Sequence, residues 1–345
     1  MRPTLLALTL ITALFTPAVA QADISTMSFN IRYDGGGADS YVEDTGWNYT
    51  CGPRSERVLA TIEAFDPDIL GVQEALDNQM RDVVLGLPEH NFYGVGRNDG
   101  ATDGEFAAIF WRASRFVDFD SGTFWLSDTP DEPGTTFEGA AAVRIASWVI
   151  LDDTATGSSY FVLNTHWDHV CNPCADDSAA LIRERATSLA EGRPIIIMGD
   201  LNTTETQSAF TTLMGASDPA GFQLVDGYRE LYPSRASNEA TYHAFGGSTS
   251  GSRIDFVLAT QELGAISAGI DHTVFSCGYP SDHFPVTVTW SDPGLGPVAA
   301  PPSIADDVCD PECEASGCNS APGPVGMMSF LYIMMAGAAL RPRRA

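Results

Sequence analysis

The chain has 345 residues, with 45 acidic and 18 basic side chains, and a formal net charge of −27 at pH 7. All the basic residues are arginine, because the sequence contains no lysine. This charge counts against a protein that binds nucleic acid through a basic stripe, since an acidic surface repels polyanions. It is equally typical of adaptation to saline surroundings, and in that case it indicates little about the substrate.

The first residues have the pattern of a secretory signal peptide. Met1-Arg2-Pro3 is basic, Thr4–Phe15 is apolar, and Ala18-Val19-Ala20 offers small residues at a cleavage site. We therefore predict that residues 1–22 are a signal peptide and that the folded domain begins near Asp23. A buried N-terminal helix is the alternative interpretation.

Residues 23–292 predict one α/β domain. Short apolar runs rich in β-branched and aromatic residues indicate strands. In chain order these are Ile24–Ile31, Ile69–Gln73, Ala107–Trp111, Ile145–Leu151, Tyr160–Asn164, Ile195–Met198, Ile254–Leu258 and Phe284–Trp290. Helical spacing of apolar residues predicts helices between some of them, at Ser55–Phe65 and Asp177–Ala190.

The C-terminal part carries a second targeting pattern. Residues 293–317 are rich in Pro, Ala and Asp and predict a linker. Cys318 follows a glycine, and an apolar run over Val325–Leu340 ends in an arginine cluster. This order resembles the C-terminal sorting signals of myxobacterial surface proteins. The resemblance implies that 318–345 is a sorting or transmembrane tail, that Cys318 is its processing residue, and that sorting machinery acts on it. A plain tail anchor is the alternative.

The other six cysteines favour disulfide bonds, since an even number is typical of an exported protein. They are Cys51, Cys171, Cys174, Cys277, Cys309 and Cys313. Their pairing stays open. A zinc site that uses the Cys171/Cys174 and Cys309/Cys313 pairs is the alternative, although no histidine has a matching spacing.

Polar side chains stand at the ends of the predicted strands, where α/β proteins gather functional groups. They are Asn30, Glu74, His166, Asp168, Asp200, Asn202, Asp282 and His283. An isolated loop acid is usually a solvated surface group, and an isolated histidine is usually structural. The repetition of acids, amides and imidazoles at successive strand ends favours a catalytic site.

These residue types suit phosphoryl transfer. Mg²⁺ prefers oxygen ligands and usually takes one or two protein carboxylates, so Glu74 is the predicted ligand of Mg²⁺ or Mn²⁺. Asn30 can offer an amide oxygen to the ion or orient the ligand. Asp200 can orient or deprotonate a water, and Asn202 can donate to a phosphoryl oxygen.

The two histidines have separate predicted tasks. His283 and a buried acid form a pair that can activate water. Asp282, its neighbour, can instead assist the metal. His166 is suited to holding the phosphate.

The order of the motifs resembles the endonuclease/exonuclease/phosphatase superfamily, which includes DNase I, exonuclease III, sphingomyelinases and inositol-phosphate phosphatases. The motifs are Ser28–Arg32, Pro67–Glu74, Asn164–His169, Met198–Asn202, Arg253–Phe256 and Ser281–His283. The resemblance covers 23–292. It implies an α/β fold, a four-layer sandwich of two facing mixed β-sheets flanked by helices, with the site at one edge between the sheets.

The resemblance also implies residue roles. Glu74 and Asn30 would lie at the Mg²⁺, with His166, Asp200 and Asn202 around the scissile phosphate. Asp255 would act through His283 or a second ion, and His283 would be the base partner.

Two further segments, Gly94–Phe106 and Phe124–Ser127, resemble a bacterial branch near the deadenylase-like members. The possible additional site residues are Glu105, Arg144 and Asp168.

Together these patterns predict an exported, Mg²⁺-dependent phosphodiesterase or phosphatase that acts as a monomer. The expected substrate is a phosphate ester of a small molecule, a lipid-derived molecule or a nucleic acid. The expected location is the cell surface or the extracellular space, after initial anchoring by the tail. An extracellular nuclease, a non-catalytic surface binding module and a zinc hydrolase are the alternatives.

Overall fold

The computed structural model describes residues 22–35, 46–47, 52–292 and 294. Within these residues, twelve strands form two six-stranded sheets, and five helices accompany them. The strands are β1 (Ile24–Asn30), β2 (Ile69–Ala75), β3 (His90–Tyr93), β4 (Phe106–Arg112), β5 (Phe116–Trp125), β6 (Ile145–Asp153), β7 (Ser159–His166), β8 (Ile195–Asp200), β9 (Leu224–Asp226), β10 (Asp255–Thr260), β11 (Gly264–Ile270) and β12 (Val286–Ser291). The helices are α1 (Arg54–Phe65), α2 (Asp77–Gly86), α3 (Asn172–Ala190), α4 (Ser208–Met214) and α5 (Gly227–Leu231).

Both sheets are mixed, as predicted. The first sheet has the strand order β11-β12-β1-β2-β4-β3, in which β1 and β2 are parallel and the other neighbours are antiparallel. The second sheet has the order β5-β6-β7-β8-β10-β9, with β7 and β8 as its parallel pair.

Apolar side chains fill the three spaces between the four layers of the sandwich. One apolar core lies between the two sheets. A second lies between the first sheet and helices α1 and α2, and a third lies between the second sheet and helices α3 and α4. Strand β8 shows the alternation, because Ile195 and Ile197 pack toward α3 while Ile196 and Met198 face the first sheet. Burial of both faces explains why these strands have nearly continuous apolar sequences. The predicted four-layer sandwich is confirmed.

A buried polar contact also joins the sheets. Asn164 of β7 donates through Nδ2 to the carbonyl oxygens of Val72, at 2.9 Å, and Ala108, at 2.8 Å. Its Oδ1 accepts from Gln73 Nε2 at 2.7 Å. Gly71 leaves the necessary space, since a Cβ there would lie 2.8 Å from Asn164 Oδ1. Because every polar atom of this amide has a partner, the contact fixes how the two sheets face each other.

The predicted strands and both predicted helices are present. Helix α3 begins earlier than the predicted Asp177, because the Cys171 side chain accepts from Cys174 N–H at the helix N-terminus and a proline occupies the first turn. Strands β3, β5, β9 and β11 were not predicted. All four are edge strands. No residue of β3 or β11 is fully buried, and only three of the ten residues of β5 are, so these sequences lack a continuous apolar run.

Cys171 and Cys174 form a disulfide bond with a Cα–Cα distance of 5.2 Å. The zinc interpretation of this pair is therefore wrong. Cys277 is also disulfide-bonded. The predictions for Cys51, Cys309 and Cys313 lie outside the described residues.

The predicted targeting segments also fall almost wholly outside the described residues. This applies to residues 1–21 of the signal peptide, to the linker apart from Gly294, and to the tail with Cys318. Among the residues that the structure does describe, no helix has the length and apolar character needed to cross a bilayer.

Candidate active site

Strand register in the second sheet brings three predicted site residues together. Asp200, the last residue of β8, is the direct neighbour of His166 on β7 and of Asp255 on β10. Alternation along each strand points all three side chains toward the first sheet, in line with the buried residues Met198 and Val257. The ends of the three strands therefore place two carboxylates and one imidazole in one pocket.

The first sheet supplies Glu74 through a β-bulge. Regular alternation along β2 would turn Glu74 away from the second sheet, onto the face where Leu70 and Val72 pack against the helices. The register instead shifts between Gln73 and Ala75, and Glu74 adopts a φ of 66°. Such a left-handed residue costs about 1–3 kcal/mol and is typical of functional sites.

Asn30 connects the carboxylates of the two sheets. Its Nδ2 donates to Glu74 Oε1 at 2.9 Å and to Asp200 Oδ2 at 3.0 Å. Its Oδ1 accepts from Arg32 N–H at 3.0 Å. This geometry places Asn30 beside both carboxylates. Its two predicted roles, as an oxygen ligand of the ion or as a group that orients the ligand, stay predictions.

The carboxylates have unequal tendencies to ionise. Burial raises the pKa of Glu74, but the nearby charge of His283, the Asn30 hydrogen bond and Arg32 outweigh it and hold the pKa below its ordinary value. Burial and the neighbouring Asp255 raise the pKa of Asp200 to about 7. Two adjacent acids with separated pKa values are typical of a catalytic site.

The donor set fits a hard divalent cation. Ligand atoms of Glu74, His166 and Asp200 lie within 4.8 Å of one another, as do those of Asp200, Asp255 and His283. Most of these atoms are carboxylate oxygens, which Mg²⁺ and Mn²⁺ prefer. Asp255 Oδ1 is buried and has no hydrogen-bond partner within the described residues. A cation would offset the mutual repulsion of these buried acids.

His283 is held between two acids. Its Nδ1 lies 2.9 Å from Asp255 Oδ2, and its Nε2 lies 3.7 Å from Asp200 Oδ2. Burial lowers the pKa of His283, but Asp255 and Asp200 together raise it to about 10. In this arrangement the imidazolium form of His283 is favoured at neutral pH. The role of base partner that the resemblance implied for His283 stays a prediction.

The pKa of His166 is shifted in the opposite direction from that of His283. Burial and the charge of Arg144 lower the pKa of His166 well below 6.5, so the imidazole is neutral. Arg144 Nη1 donates to His166 Nδ1 at 2.8 Å. Because a guanidinium only donates, the ring proton lies on Nε2, which is 3.6 Å from Asp200 Oδ2. This proton is available to a phosphoryl oxygen, and the phosphate-holding role of His166 stays a prediction.

Asp168 organises the backbone around this site. Its oxygens accept from four backbone N–H groups, those of Ala141, Ala142, Val170 and Cys171. Burial raises the pKa of Asp168, but these hydrogen bonds outweigh it and hold the pKa below its ordinary value. Asp168 also lies 3.9 Å from Arg144 Nε. It therefore supports Arg144 and the loop after β7.

Asn202 likewise holds the backbone in this structure. It adopts a φ of 45°, its N–H donates to Asp200 Oδ1 at 2.9 Å, and its Nδ2 donates to Trp167 O at 3.0 Å. One hydrogen of Asn202 Nδ2 is used in this contact, and donation from Asn202 to a phosphoryl oxygen stays a prediction.

Asp282 lies on the other side of Glu74, beside Arg32. Arg32 Nε is 3.7 Å from Asp282 Oδ2, and Arg32 Nη1 is 3.5 Å from Glu74 Oε2. Burial raises the pKa of Asp282. Ser281 Oγ donates to Asn30 O at 2.6 Å and so attaches the loop before β12 to the end of β1. Arg32 belongs to the motif Ser28–Arg32, but its residue type and position predicted no role for it.

A third arginine, Arg97, reaches the site from the loop before β4. Arg97 Nη1 lies 2.7 Å from Glu105 Oε2, which is 3.9 Å from His166 Nδ1. Burial raises the pKa of Glu105. The structure thus places the predicted Glu105 and Arg144 beside His166. Only the segment Gly94–Phe106 in the sequence pointed to Arg97.

An exposed aromatic side chain also adjoins the site. Tyr242 is half exposed, and its ring centroid lies 5.1 Å from that of His283. It belongs to a loop in which Ala244 and Phe245 both have positive φ. The sequence offered no signal for this placement, because the loop contains neither a strand nor a motif.

Comparisons with known proteins agree with this geometry. The sequence profile of the Endonuclease/Exonuclease/phosphatase family matches residues 27–283. The chain belongs to this family. The matched range contains every residue described above at the ends of β1, β2, β7, β8 and β10.

Solved structures support the same assignment. The endonuclease/exonuclease/phosphatase from Bacteroides vulgatus is 34% identical, with a TM-score of 0.69 over 78% of this chain and 98% of that one. A mannosyl-6-phosphatase from Bacteroides thetaiotaomicron is 31% identical, with a TM-score of 0.69 over 77% and 99%. The human Nocturnin catalytic domain, at 17% identity and a TM-score of 0.59 over 79% and 97%, shares the fold. No curated protein sequence matches the chain significantly.

Proposed function

We propose that this member of the family is an exported, divalent-metal-dependent phosphatase that acts on small phosphate monoesters, such as phosphorylated sugars. The observation that carries the proposal is the contact of Asn30 with both Glu74 and Asp200. It holds carboxylates from the two sheets beside one neutral and one charged imidazole. The mannosyl-6-phosphatase at 31% identity supports a monoester substrate.

Glu74 and Asp200 would hold the metal ion, with Asp255 as a further oxygen donor. When bound, Mg²⁺ or Mn²⁺ supplies electrostatic stabilisation of the phosphoryl oxygens. Asp200 would also accept a proton from the attacking water. His166 Nε2–H and the charged His283 hydrogen-bond the phosphoryl oxygens, where negative charge is distributed during the transfer.

Export rests on the signal-peptide pattern of residues 1–22 and on the disulfide chemistry. The Cys171–Cys174 disulfide and the disulfide-bonded Cys277 are typical of proteins from oxidising compartments. Cell-surface display and processing at Cys318 remain predictions from the sequence.

A substrate panel tests the proposed activity. We would measure phosphate or nitrophenol release by purified 23–317 with Mg²⁺, Mn²⁺ or EDTA. The panel holds mannose 6-phosphate, inositol phosphates, p-nitrophenyl phosphate, bis-p-nitrophenyl phosphate, sphingomyelin, single-stranded RNA and plasmid DNA. We expect metal-dependent turnover that is fastest on the small monoesters.

Other results would select another function. Preferred cleavage of RNA or DNA would support the nuclease alternative, and preferred cleavage of a diester would support a phosphodiesterase. A folded protein that binds Mg²⁺ and a phosphate ester but turns over no member of the panel would support the binding-module alternative.

A further inference from the structure

Few cations can offset the negative charge of this protein near its substrate. The chain carries a net charge of −27, and its arginines are its only permanently charged basic side chains. Most arginines in the described residues bind carbonyl oxygens or acids away from the site. Three instead converge on it, and they are Arg32, Arg97 and Arg144. Arg32 approaches from the Glu74 side, and the other two approach from the His166 side.

Arg97 is held rigidly at the rim of the site. Its N–H donates to Glu105 O at 3.1 Å, and its carbonyl oxygen accepts from Trp125 Nε1 at 2.6 Å. The side chain is 16% exposed and contacts Glu105 through Nη1. Arg97 therefore has a fixed backbone, one acidic partner and a partly exposed side chain. A preorganised guanidinium of this kind is well suited to binding a phosphate.

The neighbours of Arg97 place it on the same side of the site as His166. Glu105 Oε2 lies 2.7 Å from Arg97 Nη1 and 3.9 Å from His166 Nδ1. Arg144 Nη1 already donates to His166 Nδ1. Arg97 and Arg144 are thus the two guanidinium groups on the His166 side of the site, and Arg32 lies beside Glu74.

Resting on the function proposed above, we propose that Arg97 is a specificity-determining residue that contacts the third terminal oxygen of a phosphate monoester. A monoester dianion has three terminal oxygens, whereas a diester has two and carries its second ester group in place of the third. A cation on the side away from the metal therefore favours the monoester. Loss of this cation should reduce monoester hydrolysis more than diester hydrolysis.

The test compares four proteins, namely the wild type, Arg97→Gln, Arg97→Lys and Arg193→Gln. Arg193 is a matched control, because its side chain is 11% exposed and its acidic partner, Glu191, lies at 3.1 Å. Arg193 also donates to Ser159, the first residue of β7, whereas His166 is the last residue of that strand. Ser159 therefore lies roughly 23 Å from His166 along β7. Thermal unfolding checks that each variant is folded.

The first readout is the ratio of kcat/KM for p-nitrophenyl phosphate to kcat/KM for bis-p-nitrophenyl phosphate. We expect Arg97→Gln to lower this ratio about 30-fold, the effect of losing a hydrogen bond to a charged group. Arg97→Lys should recover part of the ratio, and Arg193→Gln should leave it unchanged. A parallel loss on both substrates, or no loss, would overturn the proposal, because Arg97 would then act only through Glu105 or not at all.

The second readout does not depend on turnover. Isothermal titration of inorganic phosphate, in Mg²⁺, should show about 30-fold weaker binding by Arg97→Gln than by the wild type. Equal affinities would overturn the phosphate contact. If the wild type hydrolyses no monoester but this affinity still falls, the proposed function fails while Arg97 stands as the anion contact.

Discussion

At the scale of single residues, Asn30 has the most consequential contacts in the site. One amide nitrogen satisfies carboxylates from two different sheets, and the amide oxygen is engaged by Arg32 N–H. The residue therefore determines how the Glu74 and Asp200 oxygens face each other. Groups that orient metal ligands in this way contribute to metal affinity without touching the metal.

We predict that Asn30→Ala weakens Mg²⁺ activation by about 10–100-fold, because both carboxylates lose their common donor. The half-saturating Mg²⁺ concentration for hydrolysis measures this effect. Asn91→Ala, at an exposed position on β3, should leave that concentration unchanged. A normal Mg²⁺ requirement in Asn30→Ala would show that the carboxylates are positioned by something else.

His243 gives a pH dependence to stability. Burial, together with the charge of His283, lowers the pKa of His243 from 6.5 to about 4. The ring is neutral in the folded state, where Nδ1 accepts from Gly247 N–H at 3.2 Å. Between pH 4 and 6.5 the unfolded chain binds more protons at His243 than the folded chain does. The neutral His243 ring therefore contributes fully to stability above pH 6.5, and this contribution is lost as the pH falls toward 4.

The corresponding measurement is the urea midpoint of unfolding as a function of pH. We expect the change in this midpoint from pH 4 to 6.5 to be less positive in His243→Gln than in the wild type, because the variant lacks the contribution of His243. His90→Gln, which keeps His243, serves as the control. An identical slope in the wild type and His243→Gln would refute this account of His243.

At the scale of elements, the strands could be predicted and the direction of some side chains could not. Burial of both faces makes β7 and β8 continuous apolar runs, and the polar residues that end them are visible in the sequence. Glu74 could be placed at the end of β2, but the bulge that turns it inward depends on pairing with β4. The charge state of His283 likewise depends on Asp255 and Asp200, which are distant in sequence.

Gly199 provides a test of strand geometry next to Asp200. A Cβ at this position would lie 2.3 Å from Thr165 O, where β7 and β8 are in register. We predict that Gly199→Ala lowers the free energy of unfolding by roughly 2–4 kcal/mol and also reduces activity, because β8 must move away from β7. Chemical denaturation and initial rates measure the two effects.

Gly264→Ala is the matched control, since a Cβ there has no heavy atom within 4 Å. Its stability should change by less than about 0.5 kcal/mol. Wild-type stability and activity in Gly199→Ala would mean that the approach of β8 to Thr165 does not constrain the site.

At the scale of the whole molecule, net charge and local charge oppose each other. The net charge of −27 repels an anionic substrate from a distance, whereas arginines and His283 attract it inside the site. Salt screens the long-range repulsion more than the short buried contacts. The acidic composition therefore affects the rate of substrate arrival without preventing phosphate chemistry.

We predict that kcat/KM for a small phosphate monoester, at saturating Mg²⁺, rises by about two- to fivefold as ionic strength increases from about 0.01 to about 0.15 M. Over this range the screening length falls from about 30 Å to about 8 Å. Steady-state rates in NaCl, repeated with a larger inert salt, measure the effect. A decrease with salt would indicate net attraction, as in proteins that bind nucleic acid through a basic surface.

The measurement that tests the central claim most directly is phosphate release as a function of free Mg²⁺ for the wild type and Glu74→Gln. Glutamine keeps the size of the side chain and can still accept from Asn30, but it removes the carboxylate charge. We predict saturable activation of the wild type, complete loss in EDTA, and a rate at least about 100-fold lower in Glu74→Gln. Undiminished hydrolysis in EDTA, or by Glu74→Gln, would contradict a metal-dependent site at the junction of the two sheets.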